Sequence, residues 1–117
     1  MYHCDLLCLL VFVCVCVIRR SIFHEIQPYD ENIKYGEDLD MAYRIILNYN
    51  VAFNSKILGY YRQDAENRAM NKVIPLDSHL ISYMDKYAIY RKNNDSFRKY
   101  FDTLCVSTAY PYLFHES

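Results

Sequence analysis

The chain has 117 residues and a formal net charge of −1, enough for one small domain or a piece of a larger one. With 53% hydrophobic and 23% charged residues it falls among globular chains, which excludes a disordered tail. So neutral a balance also excludes the electrostatic footprint of a DNA- or RNA-binding protein.

The first predicted element is the apolar run 6–18, LLCLLVFVCVCVI. As a helix it would span about 20 Å, short of a hydrocarbon core of about 30 Å. Asp5 precedes it and Arg19 and Arg20 follow it, the reverse of a secretion signal with its basic leading region. Alternating Val and Cys over 11–17 fits a strand buried on both faces, with a short membrane-associated segment as the rival reading. The chain has five cysteines. Cys4, Cys8, Cys14, Cys16 and Cys105 form no Cys-x-x-Cys pair and lie at no zinc-like spacing from histidines, so they read as buried, reduced thiols of a cytosolic protein.

A short helix is expected over 20–26, ended by Gln27 and Pro28, because a proline disfavours a helical residue before it. A polar loop runs from Tyr29 to Gly36, and a second helix over 37–49. Residues 51–53 and 57–62 are strand candidates, and the polar stretch 63–72 is a loop or frayed helix. From Pro75 onward Leu76, Leu80, Tyr83, Met84, Tyr87 and Tyr90 recur at helical spacing. Asn93, Asn94 and Asp95 interrupt the pattern and can cap a further helix, in which Phe97, Tyr100, Phe101, Leu104 and Cys105 resume it. The resulting order predicts an α/β sheet protein whose last part, residues 75–117, is an amphipathic helical hairpin.

Residues 34–40, KYGEDLD, carry the candidate chemistry. The plainest account is a permissive glycine before a helix whose first-turn acids are stabilised by the helix dipole, by about 0.3–1 kcal/mol. At about 100° per residue, Leu39, Ala42, Tyr43, Ile46 and Tyr49 share one face. Glu37, Asp40, Arg44 and Asn48 share the other, with Asp40 and Arg44 spaced as an i,i+4 pair. Asp38 falls inside the apolar arc, where a carboxylate at the rim of a cleft could take a proton from an attacking hydroxyl.

Residues 23–44, FHEIQPYDENIKYGEDLDMAYR, and 51–62, VAFNSKILGYYR, resemble the second half of inverting family-two glycosyltransferases with the GT-A fold. The shared features are a Tyr-Asp-Glu turn, Gly-Glu-Asp opening a helix with an Arg on it, and a strand pair ending in Tyr-Arg. The likeness spans residues 17–70. It implies a partial GT-A, Rossmann-like α/β fold in which residues 1–74 form the acceptor side of the cleft. It further implies Asp38 as the general base, Glu37 as support for the acceptor, and Arg62 and Gln63 near the donor diphosphate. The complete enzyme would use a nucleotide-diphosphate sugar, a divalent metal (Mg or Mn), and a glycan or lipid-linked acceptor in cell-surface glycan synthesis. It would work in the cytoplasm at the inner face of the membrane. No Asp-x-Asp precedes Asp38, so the nucleotide-binding half is expected outside this chain, no metal ligand is assigned within it, and the isolated chain is expected to be inactive. The alternatives are a non-catalytic membrane-associated or protein-interaction module, and a small independent α/β domain.

Overall fold

A computed structural model describes residues 16–27, 29–57, 59–60, 64, 66 and 74–114. Its elements are helical: α1 (Ile22–Glu25), α2 (Glu37–Ile46), two 3-10 helices (Leu76–Ser78 and Leu80–Tyr87), α3 (Ala88–Asn93) and α4 (Asp95–Phe114). The expected α/β, Rossmann-like GT-A sheet is therefore corrected. Among the described residues there is no strand, only one isolated bridge between Tyr35 and His79.

Among the described residues the partners that a strand would need are missing. Val51, Phe53, Ile57 and Tyr60 are all exposed, Tyr60 almost completely (97%), and no ladder satisfies the backbone over 51–57. Strand propensity reflects packing against neighbouring strands, and β-branched or aromatic residues form no strand without them. Residues 16–18 are likewise irregular and Val17 is fully exposed. The rest of the apolar run, residues 6–15, lies outside the described residues, as do most of 63–72 and the end of the 57–62 candidate.

Helix α2 begins at Gly36, which adopts φ 78°, the left-handed region. A side chain there would meet a second obstacle, since a Cβ would lie 2.9 Å from Leu80 Cβ. Glycine is thus required twice over, for its backbone angle and for the close approach of another segment. The helix buries Met41, Tyr43 and Ile45 and ends at Ile46, three residues short of the expected end. There the Asn48 side chain donates to the Arg44 carbonyl at 2.8 Å.

The segment after Pro75 is less regular than its spacing predicts. His79 is extended (φ −94°, ψ 147°) between the two 3-10 helices, because here the chain pairs with the loop before α2. Lys34 N–H donates to the Ser78 carbonyl (2.9 Å), and Leu80 N–H donates to the Tyr35 carbonyl (2.9 Å). Asn94 interrupts the helical pattern as expected: extended itself, it accepts the Phe97 N–H on its side-chain oxygen at 2.9 Å.

These elements close on one aromatic core of Ile33, Tyr43, Leu80, Tyr87, Phe97 and Phe101. Tyr43 sits at its centre, edge-on to Tyr87 (5.8 Å between ring centroids), Phe97 (5.6 Å), Tyr100 (6.1 Å) and Phe101 (5.9 Å). Such pairs are worth about 0.5–1.5 kcal/mol each beyond their buried area. Of the described cysteines, Cys105 packs half-buried against this core, whereas Cys16 is exposed, which corrects the expectation of a buried thiol there. No helix among the described residues is long and apolar enough to cross a membrane.

Candidate functional site

The opening of α2 places three acids in its first turn: Glu37, Asp38 and Asp40. Asp40 is fully buried (0%) and is the only buried charged residue among those described. This corrects the helical wheel, which put Asp40 on the solvated face. Its Oδ1 accepts from the Tyr87 hydroxyl at 2.6 Å and from Lys86 Nζ at 3.0 Å. Its Oδ2 accepts from Arg44 Nε at 2.9 Å. The expected i,i+4 pair is present, yet as one edge of a buried network rather than a solvated contact.

A buried carboxylate is tolerated only when paired and hydrogen-bonded, and here two cations and a phenol meet that requirement. The network continues outward. Lys86 Nζ also donates to Asp30 Oδ2 at 2.8 Å, and Arg44 Nη1 donates to the Gln27 carbonyl. Gln27 and Asp30, helix α2 and the segment Leu80–Tyr87 are thereby linked around the Asp40 carboxylate.

The electrostatics agree with the geometry. The Lys86 hydrogen bond, helped by the Asn32 N–H, holds the Asp30 carboxyl down at about 2. Desolvation alone would lower Lys86, but the hydrogen bonds to Asp30 and Asp40 outweigh it and hold the ammonium above its ordinary value. Burial, then the Asp40 carboxylate, push the Tyr87 hydroxyl well above the usual range, so it stays a donor.

Asp38 is placed differently. It is half-buried, and its Oδ1 accepts the N–H of the next residue, Leu39, at 2.8 Å. Its Oδ2 receives no hydrogen bond among the described residues. Glu37 is half-buried beside it. Of Asp38 and Asp40, then, the buried one has both oxygens engaged and the half-buried one has one oxygen without a hydrogen bond among the described residues. Arg62 and Gln63 lie outside the described residues.

Sequence reasoning missed Asp30, Lys86 and Tyr87 as partners of α2. Lys86 and Tyr87 stand 46 and 47 positions from Asp40, and the only trace was Tyr87 on the apolar face of a helical pattern. Among the described residues a divalent metal finds no ready ligand set. No three His, Cys, Asp or Glu side chains converge among the described residues, and Asp30 and Asp40 are already committed to Lys86. The described residues therefore do not fit a metal centre.

No protein-family model, curated protein or solved structure matches this chain.

Proposed function

We propose that the chain is the acceptor-side part of an inverting glycosyltransferase, with the start of α2 as the acceptor subsite. The observation that carries this is the contrast between neighbouring acids: Asp40 is saturated by Tyr87, Lys86 and Arg44, while half-buried Asp38 has no partner for Oδ2 among the described residues. The resemblance of residues 23–44 supplies the role. Asp38 accepts the proton of an acceptor hydroxyl as that oxygen attacks the anomeric carbon. One C–O bond forms on the face opposite the leaving nucleotide diphosphate and one breaks, so the configuration inverts. Glu37, beside it, orients the acceptor through its other hydroxyls. The donor sugar and its metal belong to a nucleotide-binding half outside the described residues.

Binding to a panel of oligosaccharides tests this on the chain itself. At least one saccharide class should be retained, and Asp38→Asn should weaken it about tenfold, the loss of one hydrogen bond to a charged group, with no fall in the thermal midpoint. A folded wild-type chain that retains no saccharide overturns the reading.

The second reading, a non-catalytic interaction module, is favoured by one feature. Val106, Tyr110, Leu113 and Phe114 are exposed along the outer part of α4, with the Tyr110 and Phe114 rings 4.5 Å apart. A module of that kind would bind through this face and be indifferent to Asp38.

A further inference from the structure

Residues 37–39, which carry both candidate acids, are bracketed by two anchors. On the N-terminal side, the Tyr35 carbonyl accepts Leu80 N–H at 2.9 Å and Gly36 lies against the Leu80 side chain. On the C-terminal side, Asp40 is held by Lys86 Nζ at 3.0 Å and the Tyr87 hydroxyl at 2.6 Å. Both anchors come from one short segment, Leu80–Tyr87, whose 3-10 turns meet at a kink at Tyr83 (φ −111°, ψ 23°). The same Lys86 ties down the preceding loop through Asp30.

We infer that Lys86 and Tyr87 are positioning residues for the Glu37–Asp38 turn, so that this segment completes the acceptor subsite. The identity of the ligand rests on the proposed function, but the clamp itself does not. A three-residue span fixed at both ends, by Leu80 on one side and by Lys86 and Tyr87 on the other, has little freedom to rotate, and Asp38 gains its placement from residues it does not touch. Lys86 is the more informative of the two. It sits at the edge of the core with its side chain 34% exposed, so its removal leaves the aromatic packing in place. Tyr87 serves both the core and the clamp, and only its hydroxyl belongs to the clamp.

The test uses Lys86→Met, Tyr87→Phe and Lys86→Arg in the full chain, with two readouts. One is affinity for whichever saccharide the wild type retains. The other is hydrogen exchange at the amides of Tyr35, Asp40 and Leu80, compared with amides 98–101 of α4. Lys86→Met and Tyr87→Phe should each weaken saccharide binding about tenfold and speed exchange at the three clamp amides about tenfold, leaving 98–101 unchanged. Lys86→Arg keeps the charge and donors and should restore both. Should the wild type bind no saccharide, the functional reading fails while exchange still decides the clamp. Exchange at the clamp amides that is unchanged in the variants, or that rises equally along α4, overturns the inference.

Discussion

Lys86 shares one ammonium between two carboxylates in unlike surroundings, fully buried Asp40 and partly exposed Asp30. Asp30 titrates at about 2 rather than 3.8, first because of the Lys86 hydrogen bond. A carboxyl whose folded pKa is depressed contributes stability above its unfolded pKa and loses that contribution as pH falls through the folded value. The Asp30 contribution is therefore complete above about pH 4 and lost toward pH 2. An NMR titration of the Asp30 carboxyl should give a midpoint near 2 in the wild type, rising toward 3.8 in Lys86→Met; an unchanged midpoint would show that Lys86 is not the cause. At this scale the sequence was partly legible. The Asp40–Arg44 pair follows from i,i+4 spacing alone. That Asp40 is the buried acid does not, because a wheel sorts residues by angle and cannot see that Lys86 and Tyr87 arrive on its polar side.

Helix α4 owes its start to Asn94, whose side-chain oxygen accepts Phe97 N–H while its own N–H donates to the Tyr90 carbonyl at 2.9 Å. One residue thus closes α3 and opens α4. Asn94→Ala should cost about 1 kcal/mol, the usual loss for an N-cap, read as a lower urea midpoint with unchanged slope. A loss within error would mean the helix start is held by the packing of Phe97 alone. This cap was legible because its signal is local: a short polar residue followed by Phe97, Phe101 and Leu104 at helical spacing. The strands expected at 51–53 and 57–62 rested on residue types whose preference is realised only through neighbours, and the described residues provide no such neighbours. The regular helix expected after Pro75 fails for the opposite reason. A non-local pairing, Tyr35 with His79 and Leu80, stretches the backbone where the local pattern favours a turn.

The core gathers one residue from the loop before α2 (Ile33), one from α2 (Tyr43), two from the 3-10 helix (Leu80 and Tyr87) and two from α4 (Phe97 and Phe101). None of these elements buries an aromatic side chain without the others, so α2 and α4 are expected to unfold together. Phe101 is the sharpest probe. It is fully buried, with ring centroids 5.0 Å from Tyr87, 5.4 Å from Phe97 and 5.9 Å from Tyr43. Phe101→Ala should remove about 3–5 kcal/mol, a large share of the roughly 5–15 kcal/mol that holds a typical domain folded. Far-UV and near-UV circular dichroism of the wild type in urea should follow one coincident transition. In Phe101→Ala both signals should move together to a much lower midpoint. If the near-UV aromatic signal were lost well before the helical signal, α2 and α4 would not share a single cooperative core. The clamp on Glu37 and Asp38 would then have to stand on its hydrogen bonds without the packing behind it.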